Sequence, residues 1–218
     1  MSIRPILTFP DPRLREKSEP VDSFGPALEK LSQDMIETMY DAKGIGLAAP
    51  QIGELVRVLV IDTRPRDDKG RRYQYDEMTE MEKKVVQPLV LVNPRIVEGE
   101  GKTTFDEGCL SVPGFYETVE RFLTVEIEAQ DVNGKKFRVK SDGLLGICMQ
   151  HEMDHLEGTL FIDHLSFLKS SRIKKQIQKH GYPVKGDDEE EDDSEGAGDD
   201  EGSTPTKKKV RVKSEVKS

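Results

Sequence analysis

Two histidines four positions apart with a glutamate between them, in Gln150-His151-Glu152-Met153-Asp154-His155-Leu156-Glu157-Gly158, constrain this chain more than any other stretch. Four residues advance an α-helix by about 6 Å and little more than one turn, so the two imidazoles leave one face of a helix and can grip a single divalent ion. Glu152 sits beside that face, placed to handle the proton of a water that the ion activates rather than to ligate it. Whatever the fold, it must enclose this helix and leave one side open, and hydrolysis is the first expectation.

A tetrahedral catalytic site needs a third protein ligand and keeps one position open. Metzincin proteases place a third histidine six residues after the second; here that position is Phe161, although Gly158 matches. Thermolysin-like proteases take a glutamate from a later helix, yet after Asp163 the chain offers only a Lys-rich segment and an acidic tail. The best remaining donor is upstream, in Phe105-Asp106-Glu107-Gly108-Cys109-Leu110-Ser111-Val112-Pro113, read as a Gly- and Pro-bounded loop that carries a thiol. A thiolate with two imidazoles suits Fe(II) or Zn(II) equally. Cys148, three residues before His151 on the same helix face, reads as a small buried hydrophobe, with ligation of the ion, which periodicity also allows, as the alternative. Two cysteines in 218 residues suit a reducing compartment, and no disulfide is expected.

Gly44-Ile45-Gly46-Leu47-Ala48-Ala49-Pro50-Gln51 imitates a dinucleotide fingerprint, but the flanking order is wrong. A helical spacing of Leu28, Leu31, Met35, Ile36 and Met39 precedes it, and the apolar run Val56 to Ile61 follows it as a strand. The glycines instead leave backbone open to close approach by an extended substrate, and the Gln51 amide is available to a developing oxyanion.

Together GIGLAAPQ, EGCLS and QHEMDHLEG, in this order and at this spacing, resemble the peptide deformylases, over residues 3 to 170. The resemblance implies removal of the formyl group from nascent N-formylmethionyl peptides with release of formate. It implies metal ligation by Cys109, His151 and His155, Glu152 as general base and acid, and an oxyanion site from Gln51 and the Leu110 N–H. It further implies substrate-backbone contacts at Ile45, Gly46 and Gly108, and a methionine pocket from Ile45, Phe105, Leu144 and Ile147. The implied cofactor is one divalent ion, ferrous iron first, with Zn(2+), Ni(2+) or Co(2+) as substitutes. Some family members place an arginine shortly after the Cys motif; Gly114-Phe115-Tyr116-Glu117 has none, while Arg121 is present and is expected to pair with Asp154 behind the helix. Two rival functions are a zinc endopeptidase, opposed by Phe161 and EGCLS, and a non-catalytic ribosome-associated binder, opposed by the intact polar set.

The expected class is α+β: antiparallel β-sheets enclosing a central metal-binding helix, with a basic C-terminal helix. A first helix is expected over 26–42, strands near 56–62, 89–97, 122–132 and 136–140, and a hairpin turn at Asn133-Gly134. The motif helix should start at Ser141-Asp142, which cap it, and end near Gly158. Residues 63–87 read first as a plain surface insertion and second as a flank of the substrate groove, with a helical piece through Asp76 to Lys84. Phe167 to Lys179 reads as a helix bearing Lys169, Arg172, Lys174, Lys175 and Lys179, first a solvated outer face and second a candidate surface for ribosomal RNA.

The organisation follows: residues 1–170 as the catalytic domain, 171–186 as the end of the basic helix and a linker, and 187–218 as a disordered acidic then basic tail. The tail holds 12 acidic and 6 basic residues and so supplies most of the net charge of −9. No stretch has the length of a transmembrane helix, and the N-terminus has neither an apolar signal region nor an acid-poor transit composition, so a bacterial cytoplasmic enzyme, monomeric, is the expectation.

Overall fold

A computed structural model describes residues 2–67, 71–73 and 76–183; the acidic and basic tail lies outside the described residues. Helix α1 spans Pro26–Asp41, and strands β1 (Gly46–Ala48) and β2 (Val58–Ile61) follow it. Strands β3 (Leu89–Glu100), β4 (Thr103–Cys109), β5 (Val112–Arg121), β6 (Thr124–Gln130) and β7 (Lys136–Ser141) lead into α2 (Gly143–Leu156) and then α3 (Phe167–His180). Five strands form one antiparallel sheet in the order β1-β2-β3-β6-β7, and β4 pairs with β5 in a separate antiparallel ribbon.

The unbroken run Val58-Leu59-Val60-Ile61 is buried throughout because both faces of the sheet are covered. Val58 and Val60 turn toward α1, with Leu28, Met35 and Met39; Leu59 and Ile61 turn toward α2, with Leu145, Met149 and Leu156. On β6 the alternation is one-sided. Val125, Ile127 and Ala129 join the α2 core, while Glu126 and Glu128 stay outside and pair with Arg138 and Arg95. The β6–β7 turn uses Gly134 at φ 81°, a conformation that suits glycine. Helix α3 seats Ile173 and Ile177 on Val112, Val119, Leu160 and Phe161. Thus α2 lies between the five-stranded sheet and the β4–β5 ribbon, its His151 and His155 turned to the ribbon side.

Three expectations are corrected. The EGCLS segment is the end of strand β4 and a tight turn into β5, with a register shift between Gly108 and Cys109, rather than a free loop. The helical piece expected over 76–84 is only a 3-10 turn, Glu82–Lys84. Asp142 stands at the cap position of α2, but its side chain makes no capping bond and instead accepts from the Thr79 hydroxyl at 2.5 Å. The orphan N–H of Leu145 is satisfied by Glu82 Oε1 at 2.9 Å, a buried carboxylate at the positive end of the helix. The described part of 63–87 is therefore not merely a surface excursion: Met78 and Glu82 are buried, and Glu82 caps the start of the motif helix.

Candidate active site

The ligand atoms of Cys109, His151 and His155 all lie within 4.8 Å of one another, with Cys109 Sγ 3.3 Å from His155 Nε2. Two elements make this cluster: α2 presents both imidazoles one turn apart, their rings 5.2 Å apart at 74°, and the last residue of β4 brings the thiol across. Phe161, where a metzincin would have its third histidine, stacks on the His151 ring at 6.2 Å. Cys148 also borders the site but stands outside the ligand cluster. It is buried in the core beneath the sheet, its thiol facing the Ile45 carbonyl at 3.7 Å, and burial pushes its pKa well up.

His151 is oriented from behind. Its Nδ1 is 2.8 Å from Glu107 Oε2, which leaves Nε2 for an ion. Glu107 in turn accepts from Arg121 through Nε at 2.7 Å and Nη2 at 2.9 Å, and Arg121 Nη1 reaches Asp154 at 2.6 Å. The expected Arg121–Asp154 pair is present, but it is one arm of a buried network whose centre, Glu107, sequence reasoning left without a role. The available signal was its place two residues before the thiol: an acid there is on the same strand face as Cys109 and so faces α2.

Electrostatics fit a cation. Burial raises the Glu107 pKa, yet the Arg121 and His151 hydrogen bonds overcome this and hold it at about 2. Burial likewise opposes a charge on His151, but hydrogen bonds to Cys109 and Glu107 lift its pKa well above the usual value. His155 is driven the other way by burial and by the neighbouring His151 charge, and remains a neutral donor. One thiol and two imidazoles surrounded by carboxylates, with His155 Nδ1 buried and unpartnered among the described residues, form a borderline-soft donor set that fits a divalent ion.

Glu152 is buried beside the cluster, with Oε2 unpartnered among the described residues. Burial lifts its pKa to about 7, against the pull of the His151 charge. Gly46 provides its space: a Cβ there would stand 2.3 Å from Glu152 Oε1 and 2.7 Å from Cys148 Sγ. The absent side chain makes room for the glutamate. Gln51 accepts from the Ala48 N–H at 2.8 Å through Oε1, which fixes the amide and turns Nε2 toward Ser111 Oγ at 3.1 Å and Cys109 Sγ at 3.7 Å. Leu110 occupies the turn directly after the thiol.

A cavity of about 570 Å³ opens onto these groups. The anticipated Ile45, Gly46, Phe105, Gly108, Leu144 and Ile147 all line it, together with Tyr116 and Phe115 from β5. The described residues of the 63–87 connection do not line it, against the second reading, that it flanks the groove.

A thiol beside two buried imidazoles, an adjacent carboxyl poised near neutrality and a largely apolar cavity above them define a metallohydrolase. A family model for polypeptide deformylase matches residues 3–171. Peptide deformylases of Cellvibrio japonicus and Alkalilimnicola ehrlichii are 48% and 46% identical, each over 82% of this chain and over 96% and 91% of their own lengths. The crystal structure of a Legionella pneumophila peptide deformylase superposes with a TM-score of 0.68 at 46% identity, covering 82% of this chain and 95% of that one. An Ehrlichia chaffeensis peptide deformylase in complex with actinonin gives 0.71 at 37% identity, covering 82% and 98%. The chain belongs to the polypeptide deformylase family.

Proposed function

We propose that this enzyme removes the formyl group from the N-terminal formylmethionine of nascent polypeptides, with Cys109, His151 and His155 holding one divalent ion. The observation that carries the reading is the convergence of these three ligand atoms beside buried Glu152 at the floor of a cavity with apolar walls. When bound, the ion supplies a Lewis acid that acidifies water and polarises the formyl carbonyl. Glu152, with a pKa of about 7, accepts a proton from the attacking water and later delivers it to the departing amine. Gln51 Nε2 and the Leu110 N–H donate to the oxygen that gains charge during attack. Ile45, Gly46 and Gly108 meet the substrate backbone, and the methionine side chain lies among Ile45, Phe105, Leu144 and Ile147. Glu107 and Arg121 keep His151 turned to the ion.

Ferrous iron is the proposed native ion, with zinc, nickel or cobalt as replacements, because a thiolate with two imidazoles accepts all of these. The catalytic unit is residues 1–170, followed by the end of the basic helix and a linker to 186 and the tail 187–218. The enzyme works as a cytoplasmic monomer; among the described residues no helix is long and apolar enough to cross a membrane. Arg172, Lys175 and Lys179 on α3 share an exposed face and would meet ribosomal RNA, near emerging formylated chains. Formate release from formyl-Met-Ala-Ser under anaerobic conditions, with metal content measured on the same preparation, tests the reading. One ion per chain and stoichiometric formate are expected; a fully loaded protein that releases none overturns it.

A further inference from the structure

Arg72, in the connection between β2 and β3, keeps only 10% of its side chain exposed, yet its hydrogen bonds go to backbone rather than to carboxylates. Its Nη1 donates to the carbonyls of Asp62 at 2.6 Å and Arg64 at 2.5 Å, and its Nη2 donates to the carbonyl of Gly44 at 2.9 Å. The guanidinium lies 4.9 Å from the Tyr40 ring centroid. Asp62, the nearest acid, is already engaged: Arg64 grips it with Nε at 2.9 Å and Nη2 at 2.8 Å, and the Tyr40 hydroxyl donates to it at 2.6 Å. Arg72 Nε stands 3.6 Å from Asp62, an ion-pair distance without a hydrogen bond. Neutralising Asp62 therefore does not explain an arginine so little exposed here. Its distinctive contact is Gly44.

Gly44 begins the stretch Gly44-Ile45-Gly46 that forms one wall of the cavity. The Gly44 N–H is held by the Met39 carbonyl at 2.8 Å and the Ile45 carbonyl by the Asp62 N–H at 2.8 Å, so Arg72 supplies the bond between these two anchors. Only a planar fork reaches three carbonyls in fixed directions while stacking on a ring; an ammonium does not. We propose that Arg72 is a positioning residue, which holds the Gly44 carbonyl and so sets the edge against which the substrate backbone lies. The proposal rests on the deformylase reading of the cavity. A small displacement of the Gly44 carbonyl weakens peptide binding while the ligand cluster, carried by β4 and α2, stays in place.

Arg72→Lys and Arg72→Met, the latter keeping an apolar stem over Tyr40, are compared with Arg66→Ala. Arg66 stacks on the same ring at 5.0 Å and donates to the Tyr40 carbonyl at 3.0 Å, so it serves as the control for simple loss of stability in this region. Both Arg72 variants should raise KM for formyl-Met-Ala-Ser about tenfold, with kcat within about twofold and metal content unchanged, and should speed amide hydrogen exchange across residues 44–47. Arg66→Ala should lower Tm while leaving KM and that exchange unchanged. Unchanged KM and unchanged exchange in both Arg72 variants, with only Tm lowered, would make Arg72 a stability clamp and overturn the proposal. If the wild type released no formate, the functional reading would fall, and the exchange comparison would still decide whether Arg72 holds this edge.

Discussion

Replacing Glu107 by glutamine probes the wiring behind the metal cluster with almost no change of shape. Glu107 accepts three hydrogen bonds: Arg121 Nε on Oε1, and both Arg121 Nη2 and His151 Nδ1 on Oε2. A glutamine has one accepting terminal atom. Facing the amide oxygen to His151 sets the NH2 group against Arg121 Nε, and the opposite orientation sets it against both other donors. Two routes give the same size of loss. The carboxyl is held at about 2 from an ordinary 4.5, more than two units at roughly 1.4 kcal/mol each, hence about 3 kcal/mol. Breaking one partner of a buried ion pair independently costs about 3–5 kcal/mol. The Glu107 side chain is 3% exposed, so solvent screening does not discount either figure.

The pH dependence has a definite sign. The folded-state pKa lies below the unfolded one, so this stabilisation is complete above about 4.5 and fades as pH falls toward about 2. Urea unfolding of metal-free Glu107→Gln should therefore show a deficit of about 3 kcal/mol at pH 7 that narrows below pH 4.5. Chelator competition should show metal affinity weakened roughly 10–100-fold, because His151 loses the acceptor that sets its tautomer. Metal affinity within twofold of wild type, with a stability gap that does not change between pH 7 and pH 3, would refute the assigned role of Glu107.

Glu152→Gln should keep the metal and lose most turnover, since Glu152 moves protons and is not a ligand; loss of metal on elemental analysis would contradict this. Cys109→Ala should greatly weaken metal binding, whereas Cys148→Ala should cost about 1 kcal/mol in chemical denaturation and leave the metal in place; the reverse pattern would show that the wrong thiol was chosen. Gly46→Ala should lower kcat about 100-fold with metal retained, because its methyl group would stand 2.3 Å from Glu152 Oε1 and force the carboxyl away; kcat within threefold of wild type would refute it. Truncation after Gly186 removes the acidic run 187–201, which is expected to compete with RNA for α3; short-peptide turnover should be unchanged and ribosome binding at low salt stronger, with the difference fading as ionic strength rises.

What could be read from the sequence was whatever a single period or a short spacing encodes. The 3.6-residue spacing of Leu28, Met35 and Met39 marks α1, and the alternation of Val125, Ile127 and Ala129 with acids marks β6, because each pattern is one face meeting one core. The His151/His155 pair is legible for the same reason. The β4–β5 ribbon escaped because its inward positions include Glu107 and Arg121, whose charges a periodicity reading assigns to solvent, and because Gly108, Pro113 and Gly114 interrupt it. Those two residues are buried because each pairs with the other across the strands and with Asp154 and His151 on α2. The cap of α2 was misplaced on the same ground: Asp142 has the right type and position, yet the bond comes from Glu82, far away in sequence. Gly46 shows the limit most clearly. A glycine beside a candidate cleft suggests room for a ligand, and the space its side chain would fill is also held by Glu152, which arrives from a helix about a hundred residues later. A one-dimensional pattern records that a position must be small, and the reason lies in which side chain the fold brings against it.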